Sequence, residues 1–355
     1  MPISATALSI VFILTSGGIE PPGPSADSTV KTQTPTAGLP RVEKSTPRVA
    51  VLNFGRPPDR QGAMNDLVGV TITPQSWTNV IKLLEQDGVG TVVVRVNSRG
   101  GLSESIASFN DVLIKEFVPR FRTVAWIERA QGPAALCVYP LEELYFSPIG
   151  AMGGCFEGGG MLVEQSPPTS QILETLKMAS KAANRDEAIG QAMVMGGPLS
   201  FITLADGRVV FAQTGEGLTP INEVGAVLSF SAGSAAECRF SRGSALTRET
   251  LAEAMKIDKP VWAGEAAAKA IDDAMVQNER LLKQFEDHYG DLLAALPTAE
   301  TITPSSKRTQ LLVSARAHLR MIKECLAKNP LIGRPKMVDE KVVMKLERRV
   351  QALGE

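Results

Sequence analysis

Two glycine-bearing turns carry the chemistry this sequence could perform. Asn97-Ser98-Arg99-Gly100-Gly101 follows directly on a β-branched run, 92–96, and precedes an amphipathic stretch, 102–117. Gln131-Gly132-Pro133 follows a strand-like run, 123–127, and precedes Ala134-Ala135-Leu136. A strand, a tight glycine turn and a helix put bare backbone N–H groups at a strand tip beside a helix N-terminus. Such groups stabilise an oxyanion in acyl transfer. Gly100, Gly101 and Pro133 are therefore the candidate oxyanion and peptide-binding positions. Acyl transfer also needs a nucleophile with a base in hydrogen-bond reach. Ser98, Ser147 and Cys137 lie in or near this block, but the only histidines, His288 and His318, lie far downstream. A Ser-His-Asp set within the block would need the tail to fold back over it. Glu128 is the carboxylate nearest the second turn; it precedes the helix and suits a surface or salt-bridge role. Arg99 is placed either to meet an anionic group or to stand as a solvated loop charge.

Two strand–turn–helix units in succession imply a parallel α/β sheet with one site across two strand tips. A further buried strand is expected over 49–54. A helix is expected from Thr73, as N-cap, and Pro74 at N1, through Val80, Ile81, Leu83 and Leu84, to Asp87-Gly88. Gly150-Ala151-Met152-Gly153 closes the block, and the glycine-rich run 154–160 is either a lid or a connector. Residues 170–195 are helical in pattern. Residues 199–211 alternate around Asp206-Gly207, the signature of a hairpin with a two-residue turn. Thr247 with Thr250 marks a helix N-terminus, while 214–242 has no clear pattern. From Lys259 the composition turns helical: 265–296, ended by Pro297, then 305–328 and 339–353. Ile271, Met275, Leu281, Leu282 and Phe285 form one apolar face, better suited to packing on the protein's own body than to a partner coiled coil.

The order Asn-Ser-x-Gly-Gly, an Ala-x-x-x-Ala-Ala-Leu helix some thirty residues on, and Gly-x-x-Gly resembles the superfamily of the Clp protease proteolytic subunit, and within it signal peptide peptidase A and NfeD-type serine protease domains. The resemblance spans roughly 48–255. It implies a parallel-rich Clp/crotonase-like spiral with outer helices, here followed by a C-terminal helical extension. It implies that the Gly-Gly pair supplies oxyanion N–H groups, which Gly100 and Gly101 carry. It also implies a serine nucleophile at the start of the following helix, and that position is Gly132. In NfeD-type enzymes a catalytic lysine precedes a helix that reaches a turn like Asn184-Arg185. Counting back from that turn puts the base at 167–170, where no lysine stands. Lys177 and Lys181 come two turns or more too late and read as helix-surface charges. Related proteases assemble into rings or smaller multimers, so a homo-oligomer or a pairing with a paralogous subunit is implied.

The chain has 355 residues and a formal net charge of −1, which gives no basic field for nucleic acid. Aromatic residues make up 5% and are not interleaved with basic stretches, so no base-stacking platform is expected. None of the four cysteines, Cys137, Cys155, Cys238 and Cys325, falls in a CxxC or metal-type spacing. Cys137 and Cys155 read as buried free thiols, with proximity in the fold as the alternative. No G-x-x-x-x-G-K loop occurs, and neither a cofactor nor a metal is expected. Residues 5–14 form an apolar run without a preceding basic residue, a candidate signal segment within 1–18. Export to the periplasm or beyond follows if it is one, a cytoplasmic location if not. It is too short to span a bilayer, and the mature chain should lack a transmembrane span. Residues 19–47 read as a disordered Pro/Ser/Thr/Gly-rich linker, 48–258 as the peptidase-like domain and 259–355 as the helical extension. The function expected is that of a degenerate, non-catalytic serine-peptidase-like protein that binds peptides or scaffolds an assembly. The alternatives are an active serine endopeptidase or hydrolase with a displaced nucleophile, and a crotonase-type enzyme acting on acyl-CoA.

Overall fold

The computed structural model of the chain describes residues 46–56, 66–154, 169–214, 218–303 and 305–354. The candidate signal segment, most of the linker, and Cys155 with the rest of the glycine-rich run after Gly154 fall outside them.

Chain order gives β1 (Arg48–Gly55), the short β2 (Leu67–Val68), helices α1 (Pro74–Thr78) and α2 (Ile81–Gln86), then β3 (Thr91–Ser98) and the short β4 (Gly100–Gly101). α3 (Ile106–Asp111), continued by a π-helical stretch, Val112–Phe117, leads to β5 (Arg122–Gln131), α4 (Pro133–Val138) and β6 (Glu143–Gly153). β1, β3, β5 and β6 lie side by side and parallel, with Val93 opposite both Val51 and Val124. These strands are near-continuous apolar runs because both faces are covered. Ala50, Leu52, Phe54, Val92, Val94, Val96, Ala125 and Ile127 face the main core. The alternate residues Val49, Val51, Val93, Val124 and Trp126 face a second, smaller cluster closed by Leu251 and Met255. Phe54 stands 5.5 Å from Trp77 and 5.1 Å from Phe109, fastening α1 and α3 to β1. Each such fully buried side chain contributes roughly 1.5–3 kcal/mol.

After β6 come α5 (Thr169–Ala182), α6 (Glu187–Met195) and the strands β7 (Leu199–Thr203), β8 (Val209–Ala212) and β9 (Thr219–Asn222), a separate antiparallel sheet of order β8-β7-β9. β10 (Ser229–Ser231), α7 (Ala232–Glu237), β11 (Gly243–Ser244), α8 (Arg248–Ala254) and β12 (Val261–Ala263) return the chain to the main sheet. Its order is β10-β6-β5-β3-β1-β12, with β11 also on β6 and β10 antiparallel to it. α9 (Glu265–Thr301), α10 (Ser306–Lys328) and α11 (Glu340–Ala352) complete the described chain. Among the described residues no helix is long and apolar enough to cross a membrane. The fold is thus a parallel-rich α/β sheet with helices outside it and helices at the C-terminal end, the architecture expected from the sequence.

Local chemistry accounts for several boundaries. Thr247 and Thr250 form a reciprocal capping box at α8. The expected helix after Thr73 is two short ones, because at the joint Val80 N–H donates to Trp77 O three residues back. The Asp206-Gly207 hairpin exists, but its turn is wider than two residues. Thr203 pairs with Val209, and Asp206 Oδ1 accepts from Arg208 N–H inside the loop. Pro297 does not end α9, which runs on to Thr301. Leu296 and Ala299 are buried on either side of it, and their packing holds a last turn that proline alone disfavours. Two features fall after residue 258. β12 forms the sheet edge against β1, and the first turns of α9 bury Ala267, Ile271 and Met275 in the main core.

Candidate active site at two strand tips

The ends of β3 and β5 come together as their parallel register requires. Asn97 pairs with Arg129 and Ser98 with Ala130, past a bulge after Val96. A methyl group built on Gly100 would stand 3.7 Å from Gln131 O and 3.9 Å from Pro133 Cδ. Gly100, Gly101, Gly132 and Pro133 therefore share one site.

The first tip is tightly held. β4 pairs with β2, Leu67 to Gly100 and Val68 to Gly101. Both glycines have φ near +140°, and a Cβ on Gly101 would fall 2.3 Å from Val68 N. Only glycine fits there. Ser98, fully buried, donates its hydroxyl to Asp66 O at 2.6 Å and accepts Gly100 N–H at 3.3 Å. That hydroxyl is a structural part of the turn. Behind β2, the loop at Gly69 to Ile72 is gripped by the C-terminal helices. Asn329 Nδ2 donates to Val70 O at 2.9 Å, Asn278 Nδ2 donates to Thr71 O at 3.2 Å, and Val70 is buried within the helical cluster.

The second tip is a turn between strand and helix with no side chain at its apex. Gly132 sits at φ 54°, ψ −131°, between β5 and α4, and its N–H donates to Gly153 O at 3.2 Å. Pro133 begins α4 and has no N–H, so it offers no oxyanion donor there.

The remaining nucleophile candidates fare differently. Cys137 is fully buried in α4, and burial pushes its thiol well above the ordinary value, so it stays protonated. Ser147 follows Tyr145 by two residues on β6 and so shares the face of the smaller cluster, away from α4. Glu128 is paired with Arg95, whose guanidinium lies 4.8 Å from the Trp126 ring centre. It has the salt-bridge role expected of it. Residues 167 and 168 lie outside the described residues. Ser170 is exposed in the first turn of α5, and Lys177 and Lys181 are exposed further along it. Asn184, at φ 51°, makes the expected turn. Arg185 then donates to the carbonyls of Tyr139, Leu141 and Glu142 just after α4. Burial lowers Arg185 to about 10, still charged near neutrality. Its role is to hold the end of α4.

Sequence reasoning missed an arginine group at the tips. Arg129 Nη2 donates to Asn97 Oδ1 at 3.0 Å and lies 3.9 Å from the buried Asp66 carboxylate. Burial, and then repulsion from Arg99, lower the Arg129 pKa from its ordinary value; Asp66 opposes this and Arg56 adds to it. Only Arg99 stood out beforehand, because Arg56, Asp66 and Arg129 meet through sheet register rather than sequence spacing. A cluster in the C-terminal helices was also missed. The expectation of no metal rested on spacing along the chain, whereas His288, Asp291 and His318 converge across two helices.

No family model matches the chain, and no curated protein matches its sequence. Among solved structures, it is similar to a serine-to-alanine mutant of the 1510-N membrane-bound stomatin-specific protease, at 12% identity over 59% of this chain and 85% of that one, with a TM-score of 0.41. A lysine-to-alanine mutant of that protease in complex with a substrate peptide aligns at 11% identity over 64% and 99%, with a TM-score of 0.41. An enoyl-CoA hydratase/isomerase family member aligns at 12% identity over 77% and 85%, with a TM-score of 0.33.

Proposed function

We propose that this chain is a non-catalytic, peptidase-like binding protein that holds an extended peptide at its two strand tips. The observation that carries this reading is the second tip: Gly132 has no side chain and Pro133 has no N–H. Acyl transfer needs an activated nucleophile and donors aimed at the developing oxyanion. Here the turn keeps its backbone path and lacks both. What remains is suited to binding. A short strand of two glycines offers main chain to an extended partner. Arg56 and Arg99 lie near enough to Arg129 to repel its charge, with Asp66 and Glu128 opposing them, and this favours a peptide bearing a carboxylate near the site. The protein is further proposed to act as a homo-oligomer or beside a paralogous subunit, and a monomer by light scattering at micromolar concentration would argue against that part.

The test is labelling of the purified chain with a fluorophosphonate. The expected result is no labelling and no peptidase turnover. Gly132→Ser alone should not restore either, since no lysine stands at 167–170. Gly132→Ser with Pro133→Ala and Ser170→Lys supplies hydroxyl, donor and amine together and asks whether the remaining geometry is competent. Labelling of the wild type at any serine, abolished by alanine there, would overturn this reading and establish a displaced nucleophile. Turnover of an acyl-CoA thioester would overturn it in favour of a crotonase-type enzyme.

A further inference from the structure

The chain's only two histidines are 30 residues apart, on different helices, and they meet. His288 on α9 and His318 on α10 place their Nδ1 atoms 3.1 Å apart, with the ring planes tilted by 50° rather than stacked. Asp291 lies one turn beyond His288 and so projects from the same face of α9. Its Oδ2 is 4.0 Å from His318 Nδ1, and one ligand atom from each of the three residues lies within 4.8 Å of the others.

We propose that His288, Asp291 and His318 form a binding site for one divalent transition-metal ion, zinc by preference, that clips α9 to α10. The spacing of the nitrogens supports this. Two imidazole nitrogens bound at about 2.0–2.1 Å to one ion stand roughly 2.9–3.4 Å apart for angles between square and tetrahedral. The two Nδ1 atoms already have that separation. Asp291 is the mobile ligand: its side chain is 66% exposed, against 19% for His318, and a rotation brings its carboxylate onto an ion between the rings. The exposed side also gives the ion an entry path and leaves a fourth position for water.

An outer contact supports the same geometry. Ser314 lies one turn before His318 on α10, with its hydroxyl 3.1 Å from His318 Nε2. When Nε2–H donates to Ser314 Oγ, Nδ1 carries the lone pair and points it at His288 and Asp291. Metal-bound histidines almost always have such a partner on the second nitrogen. The backing is firm, since Phe285, Ala315 and Leu319 beside the cluster are buried. Two imidazoles and one carboxylate make a borderline donor set. It suits zinc, with copper and nickel as competitors, and disfavours magnesium and calcium, which take oxygen ligands.

The test uses the tag-free full chain, stripped with a chelator and titrated with zinc chloride by calorimetry, alongside thermal melts. The expected result is one zinc per chain and a rise in Tm with zinc concentration, as for any ligand that binds only the folded state. Magnesium and calcium at the same concentrations should give neither. His288→Ala and His318→Ala should each abolish the site. Asp291→Asn and Ser314→Ala, both at exposed positions, should keep the circular dichroism spectrum of the parent. Each should weaken zinc binding by about tenfold or more, the range seen when a supporting group is lost. Those two variants keep the test valid should a histidine variant fail to fold. An absence of saturable zinc binding to the wild type would overturn the proposal, as would zinc binding undiminished by the double His288→Ala/His318→Ala change or by Asp291→Asn.

Discussion

The two strand tips are built from the same kind of unit, a parallel strand, a glycine turn and a helix, yet they are held in opposite ways. At the first, the turn and one strand edge are committed. β4 is paired with β2, the Ser98 hydroxyl is bonded on both sides, Gly101 touches Val68, and the C-terminal helices grip the loop behind β2. At the second, the backbone is held through Gly132 N–H to Gly153 O, with no side chain at 132 and no N–H at 133. Packing alone accounts for both backbones. Nothing in packing asks for a hydroxyl at 132 or an N–H at 133.

The contrast can be broken in several ways, the most damaging first. Gly101→Ala puts a methyl 2.3 Å from Val68 N at φ +145°, and should cost about 3 kcal/mol or more in urea unfolding. Gly100→Ala meets only ordinary contacts, 3.7 Å and beyond, so its cost should be the smaller of the pair. Asn329→Ala leaves the Val70 carbonyl buried without that partner and should cost about 2 kcal/mol. A cost indistinguishable from zero would show that the first tip does not depend on its brace. Gly132→Ala strains one residue at φ 54° and should cost about 1–2 kcal/mol, with peptide binding changed more than stability. The smallest effect concerns the opposite ends of the same strands, where Arg122 on β5 bonds Glu143 on β6. The hydrogen bond from Arg122 holds the Glu143 carboxyl below its ordinary value. The stability it adds is present above the ordinary carboxylate range and is lost as pH falls through the lowered value. Both side chains are partly exposed, so screening keeps this below about 1 kcal/mol. Glu143→Gln should lower neutral stability by less than about 1 kcal/mol, leave stability at acid pH unchanged, and so flatten the profile below about pH 4.3.

The elements that carried a local signal were legible. The β-branched runs gave β1, β3 and β5, and their order gave adjacent parallel strands. Thr247 and Thr250 gave the cap of α8. What escaped was set by distant residues. β2 and β12 are two and three residues long and exist through the strands beside them. The last turn of α9 survives Pro297 through burial of Leu296 and Ala299. The nearness of the turns at Gly100 and Pro133 was legible because both follow strands in one order. Arg129 with Asp66, and His288 with His318, were not, since each pair joins segments far apart in sequence.

The grip of Asn278 and Asn329 on the loop at Gly69 to Ile72 also decides how the molecule comes apart. Native-state opening proceeds in cooperative units. By these contacts the first tip shares its unit with α9 and α10, while the second tip, anchored on β6 through Gly153, does not. Partial unfolding of the C-terminal helices should release hydrogen-exchange protection at Leu67, Val68 and Leu102 together with that of the helices, while Gly132 stays protected. On this expectation the two tips open separately, and the site is complete only when both are folded.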